Sequence, residues 1–162
     1  MIDWSGIKVF SPDEFPVGEA EFISPEAMRR YVVARKITGI PWYPSKVPGA
    51  TARFDGSKTS RHYAVGRLSD ALDFFPSKDV SLPWFLHQLA GSGLFGGIGL
   101  YFDTTGYTHS SDVMFHVDCR NPVMGFPLVW FAEEDYEGQL KYTYITNACN
   151  YDKLIQYFRR LA

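Results

Sequence analysis

Hydrophobic and polar positions alternate most cleanly in the stretch Ser111 to Arg120, SDVMFHVDCR. Successive side chains of a strand point to opposite faces. Val113, Phe115, Val117 and Cys119 therefore share one face, and Asp112, Met114, His116, Asp118 and Arg120 share the other. Apolar sequence on both sides, over 94–102 and 122–131, predicts that the ionisable row lines a cleft rather than open water. A second strand is expected over 69–75, entering the interior with Phe74 and Phe75. A third surrounds Leu100-Tyr101-Phe102, and a terminal hairpin is expected from 126–131 and 140–146 around the acidic turn at 133–138.

Helical spacing appears in three places. Ser24-Pro25-Glu26 supplies a capping hydroxyl and a proline at the first helical position, so a helix should run to about Lys36, with Met28, Tyr31, Val32 and Arg35 on its inner face. Ser81-Leu82-Pro83 starts a second helix that should reach Ala90 and stop at Gly91 and Gly93. A third, amphipathic helix should span 151–161, with Arg159 and Arg160 near its C-terminal dipole. Residues 1–23 read as an extended arm over the core. Residues 37–58 read as a long loop in which Trp42 and Tyr43 either line a groove or lid the core, with a short strand at 51–54. The expected fold is α+β: one domain over 1–162, with a small, mainly antiparallel sheet, helices on one side and a cleft over the polar strand face.

Composition narrows the function classes. With 162 residues and 46% hydrophobic content the chain can bury its own core, and a net charge of −2 leaves no footprint for nucleic acid or an anionic membrane. The acids and prolines of the first residues do not resemble a signal peptide, and no stretch approaches a membrane span, so synthesis in the cytoplasm is expected. Cys119 and Cys149 are expected to stay thiols.

Candidate chemistry centres on Thr59 to Phe75, TSRHYAVGRLSDALDFF, where Gly66 lies between His62 and Asp70. Imidazole nitrogen and carboxylate oxygen are zinc donors, and a catalytic zinc keeps three protein ligands and one open position. His62, Asp70 and His116 would form such a set; hydrogen-bonded structural histidines are the competing reading. The glycines of Gly96-Gly97-Ile98-Gly99 lack the lysine and hydroxyl of a phosphate loop and point instead to close backbone packing beside the site.

Ser60, His62, Gly66 and Asp70, followed by Gly97, Gly99, Tyr101 and His116-Val117-Asp118-Cys119-Arg120, resemble the zinc peptidases of peptidoglycan. These are the D-Ala-D-Ala carboxypeptidases, the vancomycin-resistance D,D-dipeptidases and the L-Ala-D-Glu phage endolysins. The resemblance runs from about Ile37 to Arg120. It implies the D-Ala-D-Ala carboxypeptidase/hedgehog-like fold, Zn2+ on His62, Asp70 and His116, and hydrolysis of a peptide bond in a peptidoglycan stem peptide. It also implies a phage or prophage origin, with action at the bacterial cell wall after lysis or virion delivery; that no nucleic-acid or membrane partner is expected follows from the charge instead.

Three residues rather than the family's two separate His62 from Gly66, which makes Asp73 an alternative ligand. Val113 stands where many members place an acid, so Asp118 or Asp112 becomes the candidate general base, and Arg53 is the substitute for the family's upstream arginine. Ser60, Arg120, Tyr101 and His109 are candidate substrate-binding groups, Ser60 also as a hydrogen-bond partner of Asp70 and Arg120 as the group that orients Asp118. A plain Asp118–Arg120 ion pair is the bland alternative for that last pairing. The competing function is a catalytically impaired binding or virion structural module that retains the fold.

Overall fold

The computed structural model describes residues 2–102, 104–135, 137–146 and 148–161. Three helices, α1 (Pro25–Thr38), α2 (Leu82–Gly91) and α3 (Ala148–Leu161), pack on a mixed sheet. Its strands are β1 (Trp42–Pro44), β2 (Ala71–Pro76), β3 (Gly97–Tyr101), β4 (Met114–Asp118), β5 (Leu128–Glu134) and β6 (Leu140–Tyr144), in the spatial order β1-β2-β4-β3-β5-β6. All neighbouring pairs are antiparallel except β3 with β5, which is parallel. The α+β architecture with a mainly antiparallel sheet is thus as expected.

The helices cover one face only. Leu72 and Phe74 of β2, Ile98 and Leu100 of β3, Phe115 and Val117 of β4 and Phe131 of β5 meet Met28, Tyr31, Phe85, Leu89, Leu154 and Phe158 in a single core. The central strands β2, β3 and β4 give alternate residues to this core, which leaves the other set for the opposite face. α1 starts as its sequence predicts: the Ser24 hydroxyl accepts from the Ala27 N–H at 3.0 Å. It runs two residues past Lys36 and ends on Gly39, whose φ of 64° favours glycine.

Two expectations are corrected. The stretch 37–58 is not all loop, because Trp42 starts β1 and is fully buried, stacked on Phe74 at 4.0 Å and 7°. Burying an indole against a core strand outweighs the flanking prolines, which an edge strand tolerates. Trp42 is therefore core, not groove wall. Conversely, 51–54 forms no strand, only an isolated bridge between Arg53 and Tyr63.

What organises this loop is Glu19 in the N-terminal arm. Its buried carboxylate accepts from the backbone N–H groups of Gly49, Thr51 and Ala52 at 2.6, 2.9 and 2.7 Å. The arm covers the core as expected, with Phe10 and Phe15 buried in it, but it is folded into three short 3-10 turns rather than extended. Cys119 is a free thiol, half-buried; the side chain of Cys149 lies outside the described residues. Among the described residues no helix is long and apolar enough to cross a membrane.

Candidate metal centre

Two central strands and one loop build the site on the face away from the helices. In β4 the alternation sends Met114, His116 and Asp118 to this face; in β2 it sends Ala71, Asp73 and Phe75 there. The register sets Asp73 directly opposite His116. His62 arrives from the loop between β1 and β2. It is held in place by its own backbone, with its carbonyl accepting from Arg53 N–H at 2.6 Å and its N–H donating to the Ser60 hydroxyl oxygen at 3.3 Å.

Three donor atoms converge. His116 Nδ1 lies 2.8 Å from Asp73 Oδ1, His62 Nε2 lies 3.3 Å from the same oxygen, and the two imidazole nitrogens are 3.1 Å apart. Tetrahedral zinc with bonds of about 2.0–2.1 Å requires donor atoms about 3.3 Å apart, so the triangle is close to that size. His62 Nδ1 is buried with no hydrogen-bond partner among the described residues, so the polar contacts of this ring all converge on the triangle. His62, Asp73 and His116 can hold a metal ion.

Asp70, the ligand expected from the sequence, is outside this group. It lies one residue before β2, out of step with the alternation that turns Asp73 toward His116. Its carboxylate pairs with Arg61 at 3.2 Å. The alternative ligand Asp73 takes its place because strand alternation, not distance along the sequence, decides which carboxylate faces His116.

Asp118 supports the far side of the histidine. Its Oδ2 is 3.2 Å from His116 Nε2, and Arg120 clamps the same carboxylate through Nε at 2.7 Å and Nη2 at 2.6 Å. A carboxylate that holds the second ring nitrogen fixes the orientation of a metal-binding histidine. Asp118, expected from the sequence as a candidate general base, is fully buried with both carboxylate oxygens engaged by His116 and Arg120. Gly97 makes room for it, since a Cβ there would lie 2.4 Å from Asp118 Oδ2. Gly99 likewise admits the Trp130 ring, which lies 5.3 Å from the His116 ring. The glycines serve close packing, as the sequence suggests.

The remaining candidates divide. Arg53 and Tyr101 line one cavity of about 510 Å3 together with Asp73, Met114, Glu134 and Tyr142. Arg120 is bound to Asp118 and lies over Trp130 at 5.4 Å. Ser60 supports the His62 backbone, not Asp70. Asp112 is exposed and accepts from the Gly106 N–H at 3.1 Å, so it closes its own loop and does not reach the triangle. His109 is exposed in that loop, where its carbonyl accepts from Lys78 N–H. The residue that sequence reasoning missed is Trp130. The alternation of β5 could have marked it, but only together with the parallel pairing to β3.

Charge is concentrated here. Burial opposes ionisation of Asp73, but the charges and hydrogen bonds of His62 and His116 outweigh it and hold the carboxyl well below the usual range. Burial also opposes a charged His116, yet hydrogen bonds to Asp118 and Asp73 push it up to about 9. Asp118 is likewise penalised by burial and brought well below the usual range by His116 and Arg120.

A pH dependence of the metal-free chain follows. The raised His116 contributes stability that is fully present below its ordinary value of 6.5 and lost as pH rises through about 9. The depressed Asp73 and Asp118 contribute stability that is present above the ordinary value of 3.8 and lost as pH falls through their lowered values. The metal-free protein should therefore melt highest near pH 5. A bound metal must displace the His116 proton, so zinc affinity should rise from pH 6 to 9, with release of about one proton at pH 7. Thermal unfolding with and without zinc, and calorimetry in buffers of different ionisation enthalpy, check both signs. A zinc affinity that does not change with pH would contradict this.

No protein-family model, no curated protein and no solved structure matches the chain. The functional reading therefore stands on the site itself.

Proposed function

We propose that the chain is a zinc-dependent hydrolase of a peptide bond in peptidoglycan stem peptides, phage or prophage encoded, with the hedgehog-like carboxypeptidase fold. The observation that carries this is the triangle of His62 Nε2, Asp73 Oδ1 and His116 Nδ1, with its edges of 3.3, 2.8 and 3.1 Å. A set of two imidazoles and one carboxylate with remaining positions open suits a catalytic zinc. When bound, the ion supplies a Lewis acid that polarises a carbonyl oxygen and acidifies water.

The chain's own residues do the rest. Asp118 and Arg120 hold His116 through Nε2, so its Nδ1 faces the ligand position. Asp73 borders the 510 Å3 cavity, which places the triangle at the edge of a space large enough for a peptide segment. Arg53 lines the same cavity, where its guanidinium can pair with a carbonyl or carboxylate oxygen of the substrate. Tyr101 also lines it. Burial, then the charge of Asp73 and the neighbouring Tyr142, push its hydroxyl well up, so it stays a neutral donor at physiological pH.

One observation favours the second reading, a binding or virion structural module without turnover. Asp118 and Asp112, the carboxylates proposed as base, are each engaged elsewhere. The deciding experiment measures the metal content of protein purified without added metal, with His116→Ala as control, then incubates stem peptides and identifies products by mass spectrometry. Near-stoichiometric zinc that is lost in the variant, together with cleavage, supports the hydrolase. Zinc without cleavage supports the binding module, and no zinc even in excess metal removes the mechanism.

A further inference from the structure

Beyond the metal triangle, the same sheet face continues outward as an aromatic floor. The register aligns His116, Gly99, Trp130 and Tyr144 in one row across β4, β3, β5 and β6, and Met114, Tyr101, Ala132 and Tyr142 in the next. Small residues at Gly99 and Ala132 alternate with rings, so each ring leans over its neighbour. Tyr101 meets Tyr142 edge to face at 6.3 Å, and Trp130 is 6.3 Å from Tyr144. Trp130 is buried as the base of this floor, whereas Tyr142 and Tyr144 are 47% and 46% exposed. Three strand spacings separate β4 from β6, so the floor extends about 14 Å from His116.

We propose that this floor is a glycan subsite that receives a pyranose unit of a β-linked oligosaccharide. A cavity of about 150 Å3 lies among Tyr101, Arg120, Trp130, Tyr142 and Tyr144, room for about one sugar ring rather than a whole ligand. Its chemistry fits a pyranose on both counts. Aromatic faces accept the apolar C–H side of the ring, while tyrosine hydroxyls and the Arg120 guanidinium meet its hydroxyl groups. Asp118 occupies Nε and Nη2 of Arg120, which leaves Nη1 without a protein partner among the described residues.

An extended peptide fits this surface less well. Such a chain binds a sheet through backbone hydrogen bonds along a strand edge. The aromatic row runs across the strands, where the ladders already use the backbone groups of β3 and β5, and the outer edge of β6 runs along that strand rather than along the row. The inference rests on the proposed function only for the identity of the sugar, an amino-sugar glycan; the exposed rings of Tyr142 and Tyr144, which the test removes, lie outside the metal triangle.

The test is an NMR titration of the full chain with a β-linked N-acetylglucosamine tetramer, with and without zinc, and in parallel with an uncharged extended hexapeptide. The sugar should give saturable shifts of the Tyr142 and Tyr144 rings. Affinity should fall about tenfold in Tyr142→Ala and in Tyr144→Ala, but much less in Tyr144→Phe, which keeps the ring face. Zinc stoichiometry should not change in any of the three. Absence of saturable shifts at millimolar sugar, equal affinity in wild type and both alanine variants, or shifts of the β6 amides by the peptide alone would each overturn the proposal. A chain that binds the tetramer but no zinc would sink the hydrolase reading and leave this one standing.

Discussion

Asp73→Ala is expected to lower zinc affinity at least about a thousandfold, whereas Asp70→Ala should leave it within about threefold. A structural zinc site is worth about 10 kcal/mol or more, shared among its ligands, and a thousandfold loss is about 4 kcal/mol. Asp73 supplies the oxygen that lies 2.8 Å from His116 Nδ1 and 3.3 Å from His62 Nε2. Asp70 lies outside the donor group and pairs with a partly exposed Arg61, a contact worth about 1 kcal/mol or less. Isothermal titration of both variants with zinc, alongside thermal unfolding of the metal-free proteins, separates ligand loss from misfolding. Equal losses in the two variants, or none at Asp73, would show that the triangle is not the metal site.

The second large effect lies far from any ligand. Glu19→Ala should cost roughly 3–5 kcal/mol of stability, since it strands three buried backbone N–H groups that now share one carboxylate. Domains of this kind hold about 5–15 kcal/mol in total, so the loss is a large fraction of the whole. The same change should weaken zinc binding, because the loop pinned by Glu19 continues into Arg53, whose N–H donates to the His62 carbonyl. Urea unfolding of Glu19→Ala, of Glu19→Gln and of the exposed neighbour variant Glu21→Ala checks this. Glu19→Gln keeps one acceptor oxygen and should fall between the other two. A Glu19→Ala protein within about 1 kcal/mol of wild type would mean that water or relaxed backbone satisfies those donors.

Much of this was legible in the chain. The alternation of SDVMFHVDCR gave β4 its two faces, and the Ser24-Pro25 cap gave the start of α1, because both are local signals carried by neighbouring residues. The histidine pair was legible for the same reason, each in its own short pattern. The choice between Asp70 and Asp73 was not, since it depends on which residue of β2 stands opposite His116, and register across strands is not written in either segment alone. Glu19 was hidden because its partners are backbone amides, which every sequence has. Trp42 was read as loop because its two flanking prolines suggest irregular chain, while the packing on Phe74 that decides its fate comes from a distant strand. The parallel pairing of β3 with β5, which brings Trp130 onto His116, is equally non-local.

The three donors reach the site by different routes, and this makes them unequal under insertion and deletion. His116 and Asp73 sit inside paired strands, so adding or removing one residue within 114–118 or 71–76 would turn a donor into the core and a core residue into the site. His62 sits in a loop tied by Glu19 and by the bridge of Tyr63 to Arg53, so a change in residue number between it and Gly66 would move the bridge without reversing any strand face. Of the three corners of the triangle, the one at His62 is therefore the one that loop length can move, while the other two are fixed by strand register.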